Sequence, residues 1–173
     1  PMHFDDRLGT VLRLRAEGEA VRRIQYRQLL DLLGTLPAEA RGEQIDAAYD
    51  RLGELAESIP VEQRTAMLRD GALRLRSPRL VAMLAGDGGA VAGAALQRAQ
   101  LDPEQWVDLL PALPPVVRPS LLERRDLPRE VSALMARLGV SGRGLPPAAA
   151  QASTTEPEIV AELAEIAKLF GGK

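Results

Sequence analysis

The chain has no cysteine and a single histidine, His3. Without cysteine there is neither a disulfide framework nor thiolate chemistry. His3 stands at the extreme N-terminus with no fellow ligand beside it, and reads as a solvated terminal residue. Zinc sites and Ser-His or Cys-His catalysis therefore have almost nothing to work with. Aromatic residues make up 3% of the 173 positions against 46% hydrophobic, so the core must be aliphatic. No window approaches the ~18 uninterrupted apolar residues of a membrane span. Asp5 and Asp6, so early in the chain, are unlike a signal peptide. The net charge is only −2 with the signs dispersed, and no segment carries the basic field that non-specific nucleic-acid binding needs. The expectation is a cytoplasmic protein with no membrane segment, metal, cofactor or catalytic residue.

What is present favours helix: Ala, Leu, Arg and Glu lose little rotamer freedom in that conformation. Phe4, Leu8, Val11 and Leu12 fall on one helix face, interrupted at Glu17-Gly18. Tyr26, Leu29, Leu30 and Leu33 form a second stripe that should stop at Gly34, with Pro37 soon after. Ile45, Ala48, Tyr49, Leu52, Leu55, Ala56 and Ile59 form a third. Residues 1–59 thus read as a helical hairpin or bundle. Beyond Pro60 the residues Val61, Thr65, Leu68, Ala72 and Leu75 continue a helical face over 61–75.

Residues 60–140 also repeat. Ser77-Pro78 leads into Val81 and Leu84, Asp102-Pro103 into Trp106 and Leu109, and Leu127-Pro128 into Val131 and Leu134. The prolines recur every 25 residues, and Val91 and Leu96 correspond to Val116 and Leu121. Proline suits the first helical position, where its missing N–H has no partner to lose. Ser77 and Asp102 are suitable N-caps, and Gln105 completes a capping box with Asp102. Each unit then offers one helix after its proline and a second before the next. A pair so small cannot bury its apolar face alone, so neighbours must stack. Residues 141–155 have the Gly, Pro, Ser and Ala composition of a flexible linker. Residues 156–173 read as a separate C-terminal helix with Ile159, Leu163, Ile166 and Phe170 in a heptad stripe. A lone helix would expose that stripe, so it must dock or stay frayed. It could fold back on its own repeat stack, but the expectation is that it pairs with a partner chain, as in a homodimer, or occupies another molecule's groove.

The remaining motifs favour structure over chemistry. GDGGAVAG at residues 86–93 supplies G-x-G, but Val91 holds the third glycine position and the P-loop Lys-Ser/Thr is missing. It reads as an inter-helix turn with Asp87 available as a cap. Asp46 with Asp50, and Glu158 with Glu162, share helix faces outside the apolar stripes and read as solvated carboxylates. Trp106 occupies the repeat position of Val81 and Val131 and reads as core. Arginines are the candidate partner-binding surface: Arg64, Arg69, Arg74, Arg76 and Arg79 crowd one region, and Arg118, Arg124 and Arg125 another. They could line a groove for an acidic partner, against the plainer role of solvated charge and helix C-terminal complement.

The stretch carrying LVAMLAGD, AALQRAQLDPEQW and ERRDLPREVSALMARLG, with Arg64 and Arg118 opening repeats, resembles a HEAT-like helical repeat domain of uncharacterised function found in alphaproteobacteria. The preceding DRLGTVLRLRAEGEA and YRQLLDLLGTLPAEAR are similar to the leading segment of such domains where they precede sensor histidine kinases. The resemblance covers about residues 4–140 and implies an all-α fold: N-terminal helices followed by a right-handed solenoid-type stack. It also implies a non-catalytic, regulatory protein-interaction module of a two-component signalling protein. No phosphoacceptor helix or ATP signature is present, so any kinase activity is expected to lie beyond Lys173. The rival expectation is a nucleic-acid-binding HEAT-like protein, against which the pI of about 5.6 weighs.

Overall fold

The structure, a computed structural model, describes residues 2–140 except residue 16, with side chains from residue 6 onward. The side chain of His3, the linker expected over 141–155 and the helix expected over 156–173 lie outside the described residues. So does the stripe of Ile159, Leu163, Ile166 and Phe170. The described residues divide into two units, the first ending at Arg124 and the second beginning at Arg125. Among the described residues there are eight α-helices, two 3-10 segments and no strand, so the fold is all-α. No described helix is long and apolar enough to cross a membrane.

In the first unit, α1 (Met2–Leu12), α2 (Glu19–Gly34) and α3 (Glu43–Ser58) pack mutually. Their apolar stripes meet as the spacing requires: Leu8, Val11, Tyr26, Leu29, Leu30, Leu33, Ile45, Leu52 and Leu55 are all buried. One buried polar side chain ties the three together. Gln25 donates from Nε2 to the Val11 carbonyl at 2.7 Å, near the end of α1, where helix carbonyls lack intrahelical partners. Its Oε1 accepts from Arg51 of α3 at 3.1 and 3.2 Å. Both ends of a buried amide are thereby satisfied, which removes the penalty of burying it.

α4 runs only from Val61 to Leu68, not through Leu75. Asp70 turns the chain instead, its Oδ1 accepting from the Ala72 N–H at 2.9 Å, a local bond that competes with helix propagation. Ala72 is exposed. The non-helical segment that follows alternates: Leu73, Leu75 and Ser77 are buried, while Arg74 and Arg76 face outward. This segment is bonded on both sides. The Arg76 N–H donates to the Gly34 carbonyl at 2.8 Å, and the Leu75 carbonyl accepts from the Gln100 N–H at 2.7 Å. Leu75 and Ala99 form an isolated parallel bridge. Gly34 is required here by space, because the carbonyl oxygen of Arg74 occupies the place a Cβ would take.

α5 (Pro78–Gly86) and α7 (Pro103–Leu109) begin at their repeat prolines. Ser77 caps α5 by accepting from the Leu80 N–H at 3.3 Å. At α7 the Gln105 side chain reaches back to the Asp102 N–H at 2.9 Å. Between them, α6 (Gly89–Arg98) packs on α4, on α5 and on a 3-10 segment, Pro115–Glu123. Its buried residues Val91, Ala92, Ala94, Ala95 and Leu96 are mostly small, which permits close approach on several sides. A second 3-10 segment, Leu110–Ala112, extends α7. The repeat correspondence breaks within Pro115–Glu123. Val116 is 84% exposed and Val117 is buried in its stead, although Leu121 is buried as expected. Pro115 and Pro119 cannot donate in an α-helical ladder, and winding at three residues per turn loses the α-helical phase on which the correspondence rested.

The second unit's described helix, α8 (Arg129–Arg137), buries Val131 and Met135. Its end is a Schellman arrangement: Val140 N–H to the Met135 carbonyl and Gly139 N–H to the Ala136 carbonyl, with Gly139 at φ 82°. Val81, Trp106 and Val131 are all buried, so the tryptophan is core.

Gly34→Ala should destabilise the protein by roughly 2 kcal/mol or more, because backbone must move to admit the methyl group. Gly53→Ala is the control. It sits inside α3, where the added Cβ would lie 3.5 Å from the Met83 methyl, an ordinary contact, so urea unfolding should show little loss or a small gain. Equal midpoints for the two variants would refute the role given to Gly34.

Candidate partner-binding surface

The structure separates the arginines into those that hold the fold and those that do not. Arg64 belongs to the first kind, with its side chain only 11% exposed. Its Nε donates to the Ile59 carbonyl at 3.0 Å and its Nη1 meets Asp87 at 3.0 Å. Asp87 therefore ends α5 and pairs with Arg64, while Gly88, not Asp87, stands at the N-cap of α6. Tyr26 lies in the same cluster, lining a cleft of about 290 Å³ with both of them. Burial pushes its phenol up to about 12, opposed by the Arg64 charge and reinforced by Asp87. Burial also raises the Asp87 carboxyl, against the pull of Arg64.

Arg124 is likewise internal. It donates to the Leu96 and Ala99 carbonyls at 2.9 and 2.7 Å, completing the C-terminal end of α6. Its guanidinium also lies 5.3 Å from the centre of the Trp106 ring. Arg79 stacks 4.0 Å over Tyr49 and pairs with Asp46 at 3.0 Å. Tyr49 in turn hydrogen-bonds Ser77 at 3.2 Å, so this stack leans on the cap of α5. Arg118 donates to the Pro111 carbonyl at 3.0 Å. Arg125 is exposed in the second unit.

Arg69, Arg74 and Arg76 are different. All three are exposed, and none is ion-paired among the described residues. Arg74 reaches only the Gly71 carbonyl of its own turn at 3.2 Å, and Arg76 only Gln100 Oε1 at 3.4 Å. Asp70 does not neutralise them. Its carboxylate is held by the Ala72 N–H and by Arg27 at 2.7 Å, and those bonds draw its pKa below the usual carboxylate value. Alternation along residues 73–77 places Arg74 and Arg76 on the same outward side. The result is a short basic strip fixed to a rigid backbone.

Arg98 joins this strip and was not among the residues expected from sequence. It lies in the last turn of α6 and reaches the Asp70 carbonyl at 3.4 Å, lining a cleft with Arg69. Nothing in the sequence distinguishes it from any other helix C-terminal arginine; only the fold brings residues 69 and 98 together.

The raised tyrosine gives a pH prediction. The folded state favours the neutral phenol, so the stability it contributes is intact below pH 10 and is lost as pH rises towards about 12. Tyr49 is shifted in the same direction, chiefly by burial. Ultraviolet titration of the native chain should show phenolate appearing late, and the denatured chain should titrate near 10. Native titration of both phenols near 10 would show that Tyr26 is not enclosed by this cluster.

No protein-family model matches the chain, and no curated protein or solved structure is significantly similar to it.

Proposed function

We propose that this chain is a non-catalytic protein-interaction module whose HEAT-like stack of short helices presents a basic strip to an acidic segment of a partner protein. The observation that carries this reading is the strip itself: Arg74 and Arg76 are exposed on a segment bonded at both edges, Arg69 is exposed at the end of α4, and none of the three is ion-paired among the described residues. A backbone already held in place spares binding the cost of ordering it, which favours specific over diffuse attraction, although the arginine side chains still lose rotamer freedom. The proline-started helices α5 and α7 and the packing of α6 against Pro115–Glu123 support the stack. Following the resemblance of its sequence, the module belongs to a bacterial two-component system, ahead of the catalytic part of a sensor histidine kinase. Pairing through residues 156–170 belongs to the same proposal. A protein partner is favoured over nucleic acid because the charges are mixed in sign and sum to −2, which supplies no extended basic field for a long polyanion.

The test compares a labelled glutamate-rich peptide with duplex DNA by fluorescence anisotropy. The peptide should bind, and the triple variant Arg69→Gln, Arg74→Gln, Arg76→Gln should weaken it by about tenfold while leaving the melting temperature within a few degrees. Tighter binding of DNA with a steep loss in salt would replace this reading by the nucleic-acid one.

A further inference from the structure

The cleft between α6 and the 3-10 segment Pro115–Glu123 has about 250 Å³ of open space. Arg69 and Arg98 both line it, and neither has a carboxylate partner among the described residues. The Nε of Arg98 is shut off from solvent and has no hydrogen-bond partner among the described residues. The rest of the guanidinium is lightly used: Arg98 is half-buried and its Nη2 makes a long 3.4 Å contact with the Asp70 carbonyl, which leaves donors for an arriving acceptor. Across the cleft, the Ser120 hydroxyl lies 3.8 Å from where a Gly93 Cβ would stand, and the floor is completed by Ala90 and Ala94. These small residues leave the room that larger ones would fill. Gln97 shapes the wall, donating to the Ser120 carbonyl at 2.6 Å and reaching Glu123 at 3.5 Å.

We propose that this cleft binds a single carboxylate group, the anchoring Asp or Glu side chain of the acidic partner segment. The proposal rests on the protein-interaction reading. Charge decides between oxyanions: two arginines against Glu123 leave one net positive charge, which one carboxylate balances and a phosphate dianion oversteps. Guanidinium planes pair with carboxylates through two parallel N–H···O bonds, and Ser120 supplies a further donor.

The test follows the arginine Nε–H resonances of the intact chain by NMR while hexaglutamate, free glutarate or inorganic phosphate is added. Hexaglutamate should shift the Arg98 Nε–H saturably, more tightly than glutarate and with phosphate weakest. Arg98→Gln should weaken hexaglutamate by at least about tenfold. Glu123→Gln should tighten it several-fold, an effect that mere loss of structure cannot produce. Hexaglutamate binding with Arg98 Nε–H unmoved and Arg98→Gln without effect would overturn the anchor while leaving the basic strip intact. Saturable glutarate binding without peptide binding would keep the carboxylate site but overturn the peptide as its source, and with it the protein-interaction reading. Preferred binding of phosphate, or no shift with any probe, would overturn the proposal.

Discussion

The segment Leu73–Ser77 is the constraint on which the first unit turns. It is pinned at Arg76 to the carbonyl of Gly34, the last residue of α2, and at Leu75 to the N–H of Gln100, just beyond α6. The three N-terminal helices and the short helices that follow are thereby joined through backbone hydrogen bonds as well as side-chain packing. Burying Leu73 and Leu75 supplies apolar contact on the inner side, while the paired N–H and carbonyl groups avoid the cost of orphaned backbone. Alternation then turns Arg74 and Arg76 outward without any further instruction. The surface chemistry is thus a consequence of how the core is closed.

Much of this was legible in the sequence, and the failures have definite causes. The stripes of α1, α2 and α3 follow from 3.6-residue periodicity, and α2 stops at Gly34 as expected. The proline starts of α5 and α7 with their caps at Ser77 and Asp102 are local, so local reasoning reaches them. Periodicity failed over residues 61–75 because Ala72 and Leu75 fall on a helical face by spacing alone. The Asp70 turn breaks the helix first, and Leu75 is then buried from a non-helical backbone. It failed again at Val116, where prolines impose 3-10 winding.

The arginines show the same limit at the level of the site. Sequence crowding grouped Arg64 and Arg79 with Arg69, Arg74 and Arg76, yet the fold turns Arg64 inward to Asp87 and stacks Arg79 on Tyr49. Arg124 looks equally available in sequence and instead closes α6. Conversely Arg98, distant in sequence from Arg69, shares a cleft with it. Whether an arginine is structural or available depends on which carbonyls and carboxylates the fold places within reach, and that is a non-local property.

Amide hydrogen exchange at Arg76 and Gln100 tests the central claim most directly. If residues 73–77 join the helices on either side, both amides should exchange only through global unfolding, in the slowest class with the buried helix amides of α2 and α6. Exchange of Arg76 and Gln100 as fast as that of the exposed turn at Gly71 would contradict the account, because the strip would then lack the rigid mounting from which its proposed function follows.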